Sequence, residues 1–113
     1  PVSVVLTLNK KTEELMGNPT AAFRIPHHRF SLKLLERIRM PLISTSVNRA
    51  NQEPLNDYGL IRTQFGKDVD AIFYTEQKSL NQASTIIDLS EKEPKLIREG
   101  KIPFERLIKK FKK

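Results

Sequence analysis

Val2-Ser3-Val4-Val5-Leu6-Thr7-Leu8 opens the chain as a β-branched run and reads as a strand. The next two segments decide the class. Lys10 to Met16 is a short charged helical segment, ended by Gly17 with Asn18-Pro19 as a breaker. Ala21 to Ile25 is a second strand, closed by Pro26. Strand and helix signals therefore alternate from the outset, and the alternation continues along the chain.

Ser31 is expected to cap a helix through about Arg39, with Leu34, Leu35 and Ile38 forming one buried stripe. Asn56 is read as the N-cap of another helix, whose buried face is Tyr58, Ile61 and Phe65 and whose left-handed stop is Gly66. Val69 to Tyr74 and Thr85 to Leu89 read as strands, separated by the polar stretch Thr75 to Ala83, and Lys95 to Ile97 as a short further strand. Pro103 stands at the first position of an amphipathic helix carrying Phe104, Leu107, Ile108 and Phe111. Repeats and low-complexity segments are absent. The fold class is α/β or α+β, with a mixed sheet favoured over a regular doubly wound one.

At 113 residues the chain is one domain or a piece of one. It has no cysteine, which excludes disulfides and thiolate metal sites. No apolar run approaches the ~20 residues of a membrane span, and no signal-peptide pattern is present, so a soluble cytoplasmic protein is expected. The chain starts Pro1-Val2-Ser3 inside an apparent strand, which suggests a fragment or a processed chain. The net charge of +7 is concentrated: from Arg98 to Lys113 seven Lys and Arg face Glu99 and Glu105, a local excess of +5. That end, 103–113, reads as a basic amphipathic helix. It could steer the protein toward nucleic acid, and it could equally be the solvated face of a terminal helix.

Ser44-Thr45-Ser46-Val47-Asn48 comes after the apolar Met40-Pro41-Leu42-Ile43 and opens a polar loop running to about Asp57. Small donors and acceptors at the expected end of a strand suit an anionic ligand, because the backbone can approach a phosphate closely. The same residue types are ordinary turn formers. Arg24 interrupts an apolar strand, either on a solvated face or aimed at a carboxylate or phosphate. His27 and His28 are adjacent, point in different directions on extended chain and have no third ligand nearby, which argues against a metal site. Ala83-Ser84-Thr85 and Arg98-Glu99-Gly100 bracket the ends of expected strands.

In order and spacing, Arg24-Ile25-Pro26-His27-His28, Pro41-Leu42-Ile43-Ser44-Thr45-Ser46-Val47-Asn48, Gln64-Phe65-Gly66, Ser84-Thr85-Ile86-Ile87-Asp88 and Ile97-Arg98-Glu99-Gly100 resemble the YrdC-like family. Its best understood members are the threonylcarbamoyl-AMP synthases of tRNA modification. The resemblance runs from Pro1-Val2 to Gly100 and implies a single YrdC-like domain over 1–113, its C-terminal part, with a twisted mixed sheet flanked by helices. It further implies an enzyme that joins L-threonine, bicarbonate and ATP into threonylcarbamoyl-adenylate and pyrophosphate. Carried over by the resemblance, Thr20, Ser46, Asn48 and Arg98 would hold ATP, and Arg24, Ser44 and Ser84 would hold threonine. Mg²⁺ would travel with the triphosphate, without a resident metal or tightly bound cofactor. No residue is assigned as a catalytic nucleophile, since the chemistry needs orientation and charge neutralisation. Partner proteins of tRNA modification are a further implication.

The sequence departs from the family pattern in places. His27 stands where an acidic or amide residue is usual, and Pro54 where some members have a hydroxyl residue that meets ATP. Thr75 to Gln82 lacks the usual glycines. Family domains also carry a long stretch ahead of this point, with a Lys/Arg-rich motif and a Pro-Thr strand that complete both substrate sites. Two alternatives to the enzyme stay open: a module binding double-stranded RNA or tRNA, and an inactive fragment. An RNA module would be expected to interleave exposed aromatics with basic residues. Only eight aromatics are present, most at core spacing.

Overall fold

A computed structural model describes residues 2–76 and 83–111. The chain divides into two compact units, Pro1–Met40 with Gln82–Lys113, and Pro41–Asn81. The first holds a four-stranded mixed sheet of order β2-β1-β3-β4. Its strands are β1 (Val2–Thr7), β2 (Thr20–Phe23), β3 (Thr85–Asp88) and β4 (Lys95–Arg98). The helices of this unit are α1 (Lys10–Met16), α2 (Arg29–Ile38) and α4 (Phe104–Phe111), and α3 (Tyr58–Phe65) belongs to the second unit.

The β1-α1-β2 connection is short, and β1 and β2 pair antiparallel from Val4↔Phe23 to Thr7↔Thr20. Asn9 caps α1, its side-chain oxygen accepting the Thr12 N–H at 2.9 Å. Gly17 ends the helix at φ 70°, a left-handed turn that glycine adopts without a Cβ clash. At the middle of the sheet β1 pairs with β3 in parallel, Val2↔Thr85 through Val5↔Asp88. A parallel pair cannot close through a tight turn, so the whole intervening chain serves as its crossover. β4 then returns antiparallel to β3, with a bulge between Ile86 and Ile87.

Because side chains alternate along each strand, the registers sort the sheet into two faces. One is apolar, formed by Val2, Val4, Leu6, Ala21, Phe23, Ile87 and Leu96. Ile87, 2 % exposed, is the buried hydrophobic centre of this face. Thr85 shares the face and is fully buried, its hydroxyl donating to the Ile102 carbonyl and accepting the Gly100 N–H. The other face is mixed: it carries Thr20, Ser84 and Arg98 together with Val5, Ala22 and Ile86.

Leu34, Leu35 and Ile38 form the less exposed stripe of α2, Tyr58, Ile61 and Phe65 that of α3, and Phe104, Leu107 and Ile108 that of α4, each as the 3–4 spacing predicts. Several expectations are corrected. The α2 N-cap is His28, whose Nδ1 accepts from Ser31 N–H, so the helix starts ahead of Ser31. The α3 N-cap is Asp57 rather than Asn56. Gly66 is right-handed, at φ −59°, not left-handed. The segments 41–43 and 69–74 are irregular rather than strands. Ile25 and Leu89 fall outside β2 and β3, and α4 begins after Pro103. Most of the polar stretch 75–83 lies outside the described residues. Among the described residues no helix is long and apolar enough to cross a membrane.

Candidate functional site

The mixed face of the first unit's sheet gathers three of the seven residues expected to bind ligand, Thr20, Ser84 and Arg98. Thr20 pairs with Thr7 at one end of β2, half-buried. Arg24 directly follows β2 and is exposed. Ser84 precedes Thr85 by one residue and therefore shares the face with Ile86. Arg98 joins it through its register with Ile86.

Ser84 and Arg98 are brought into direct contact. The guanidinium Nε and Nη2 donate to the Ser84 carbonyl at 3.2 and 3.0 Å, and Nη2 also lies 3.3 Å from Ser84 Oγ. Ser84 is 6 % exposed and has a second hydroxyl neighbour, Ser3 Oγ, at 3.2 Å. The fork geometry of the guanidinium thus fastens the edge strand β4 to the first residues of β3 while leaving a cation on this face. Two features hold the arrangement from behind. Thr85 bonds the backbone at Gly100 and Ile102, and Lys101 N–H donates to the Ala83 carbonyl at 3.1 Å. Gly100 is pressed against this backbone so closely that a Cβ there would lie 2.1 Å from the Ala83 oxygen.

Farther along the same face Asp88 and Lys95 oppose each other across β3 and β4. The Ser90 hydroxyl, donating at 2.6 Å, and the Ser90 N–H, at 2.8 Å, hold the Asp88 carboxyl below its ordinary value of 3.8. The Lys95 ammonium is raised above its ordinary value by its hydrogen bond to Glu91.

In the second unit the remaining three candidates lie within five residues of chain. Ser44 and Ser46 are exposed, and Asn48 is half-buried. Ser46 Oγ donates to Asn48 Oδ1, and the Asn48 amide donates to the Arg49 carbonyl at 3.0 Å. Leu55 N–H reaches the Val47 carbonyl at 2.7 Å and closes the loop at its base. Arg49 is drawn over the Phe65 ring of α3, 5.3 Å from its centroid. The loop is therefore a fixed turn with polar groups at its exposed side. Among the described residues no group of three or more His, Cys, Asp or Glu side chains is placed to hold a metal ion.

Sequence reasoning misses Ser3. Ser3 is the one polar residue between the valines of β1, a visible break in the run. Its proximity to Ser84 depends on a parallel register between distant segments. Thr85 is singled out with Ala83 and Ser84 at the strand start, but its two backbone partners, Gly100 and Ile102, are set by the path of the chain after β4.

The sequence profile of the family described as Telomere recombination, which groups Sua5, YciO and YrdC, matches residues 1–100. A threonylcarbamoyl-AMP synthase of Pyrococcus abyssi is 30% identical over 112 residues, which span 96% of this chain and 33% of that protein. One from Neisseria gonorrhoeae is 42% identical over 48 residues, covering 42% of this chain and 25% of its own length. A solved structure of a variant of P. abyssi Sua5 superposes with a TM-score of 0.83 at 28% identity, over 96% of this chain and 34% of that one. The chain thus spans about a third of the length of the P. abyssi relative.

Proposed function

Since the chain belongs to the Sua5, YciO and YrdC family, we propose that it supplies the amino-acid and nucleotide contacts of a threonylcarbamoyl-AMP synthase. The single observation that carries the reading is the placement of Thr20, Ser84 and Arg98 on one face of one sheet, with Ser84 and Arg98 in contact. In this reading Arg24 pairs with the threonine carboxylate, with Ser44 and Ser84 as further threonine contacts. Thr20 and Arg98 meet the nucleotide, and Ser46 and Asn48 the phosphates. Arg98 is anchored through Nε and Nη2, so the Nη1 edge is the one that would face the nucleotide. Ser46 would exchange its bond to Asn48 for a phosphate oxygen.

The chemistry asks little else of the protein. The threonine amine condenses with bicarbonate to a carbamate, with loss of water. A carbamate oxygen then attacks the α-phosphorus of ATP, and the bond to pyrophosphate breaks. Both steps join anions, so holding them together and neutralising their charge contributes more than a protein nucleophile would. Mg²⁺ belongs to the triphosphate substrate.

The test is pyrophosphate release from ATP by the whole gene product. Release that requires both threonine and bicarbonate, and falls at least tenfold in Arg24→Ala, supports the reading. Release independent of threonine, or none, overturns it. A second reading, a module for tRNA or double-stranded RNA, draws on the +5 excess between Arg98 and Lys113. RNA binding that survives Arg24→Ala and Ser46→Ala but is lost on deletion of 109–113 would favour it.

A further inference from the structure

Ser3 stands on β1, between β2 on one side and β3 on the other. Val2 and Val4 point to the apolar face, which leaves Ser3 on the mixed one. The β1–β2 register ends at Val4↔Phe23, one residue short of Ser3 on β1 and of Arg24 after β2. On the β3 side its hydroxyl lies 3.2 Å from Ser84 Oγ, which in turn lies 3.3 Å from Arg98 Nη2. Ser3, Ser84 and Arg98 are therefore linked hydroxyl to hydroxyl to guanidinium from β1 to β4, with Ser3 at the outer end, and Arg24 directly follows β2, the other neighbour of β1.

A serine hydroxyl has one proton and two lone pairs. Arg98 occupies one lone pair of Ser84. Whichever serine donates in the bond between them, one hydroxyl proton of the pair is left over for a further acceptor. Ser84 is 6 % exposed, whereas Ser3 is only half-buried. The accessible arrangement has Arg98 donating to Ser84, Ser84 donating to Ser3, and the Ser3 proton facing outward. A cation at the inner end of such a chain polarises each donor in turn and favours an anionic acceptor at the outer end.

We propose that Ser3 is a ligand-binding residue of the amino-acid subsite, donating its hydroxyl proton to one carboxylate oxygen of L-threonine beside the oxygen that Arg24 grips. This rests on the reading of the site as a threonine site. Ser84, held by Arg98, orients the Ser3 hydroxyl and keeps its second lone pair for a donor of threonine, so it remains the threonine contact assigned above.

The experiment is calorimetric titration of the whole gene product with L-threonine and with L-threoninol, in which the carboxylate is replaced by an alcohol. Ser3→Ala and Ser3→Thr are compared with the unsubstituted protein, and thermal melts report on folding. The proposal expects Ser3→Ala to weaken L-threonine binding roughly tenfold, as loss of a hydrogen bond to a charged group does. Ser3→Thr, which keeps the hydroxyl, restores binding to within about twofold, and Ser3→Ala has no further effect on the weaker binding of L-threoninol. Threonine binding unchanged in a folded Ser3→Ala protein overturns the assignment of Ser3 alone. Equal weakening toward both ligands, or failure of Ser3→Thr to restore binding, also overturns it and leaves Ser3 a packing residue. Absence of threonine binding in the unsubstituted protein overturns this proposal together with the threonine reading.

Discussion

Thr85 is the residue on which the back of the candidate site depends. Its hydroxyl sits at full burial between a carbonyl and an amide of the chain after β4. Valine has nearly the same shape but neither donor nor acceptor. Thr85→Val would leave two part-buried backbone groups without this partner and is expected to cost about 2 kcal/mol. The check is a lowered urea midpoint at unchanged slope; a midpoint equal to wild type would show that the two groups find other partners. Asp88 gives a pH signature instead. Its folded carboxyl is held below its ordinary value, chiefly by the Ser90 hydroxyl, so folding favours the ionised form. The resulting stabilisation is complete above the unfolded carboxyl value of about 3.9 and fades as pH falls through the folded value. Asp88→Asn should therefore flatten the loss of stability below about pH 4. Urea midpoints at pH 3 and pH 7 would test this, and an unchanged difference between them would count against it.

At the level of elements, the legible features are those that local chemistry determines. Gly17, the 3–4 spacing of Leu34, Leu35 and Ile38, and the β-branched runs at Val2 and Thr85 each carry their own instruction. Val69 to Tyr74 has the same β-branched and aromatic composition, yet it is irregular. A strand needs a partner, and here Tyr74 stacks on Tyr58 of α3 at 3.9 Å between centroids instead. Of the expected site, the Ser46–Asn48 pair is legible because its contacts span two residues. The Ser84–Arg98 contact requires the bulged β3–β4 register, and Ser3 requires the parallel one. Two glycines show how differently elements end. Gly17 has nothing within 4 Å of a hypothetical Cβ, so Gly17→Ala meets only the left-handed backbone, a cost of about 1 kcal/mol. Gly100→Ala meets the Ala83–Thr85 backbone and must push the β4 exit away from β3, a larger loss, roughly 2–3 kcal/mol. Thermal melts should rank Gly100→Ala clearly below Gly17→Ala, and the reverse order would contradict the packing at Gly100.

Over the whole molecule, regular backbone pairing is concentrated in the first unit. Amide hydrogen exchange should be slowest in β1 and β3, which are paired on both sides, and fast in 41–46, which has no regular structure. Comparable protection in the two segments would contradict this distribution. The charge is unevenly spread as well, with +5 of the +7 falling between Arg98 and Lys113. Any RNA affinity carried by that end should fall steeply with added salt, whereas any threonine affinity of the sheet face, as proposed above, should change far less.

The parallel pairing of β1 with β3 also has a consequence in time. Ser3 and Ser84 are 81 residues apart, so the central pair of the sheet has high contact order. During synthesis the Val-rich β1 emerges long before β3, and of its two partners in this sheet β2 is the first to follow it. The β1-α1-β2 hairpin is thus the early unit of this sheet, and the β1 edge that β3 will cover is a place where nascent chains can associate until β3 arrives. The Ser3–Ser84 contact forms only when that edge closes, so the proposed binding face and the covering of the edge arrive in the same folding step.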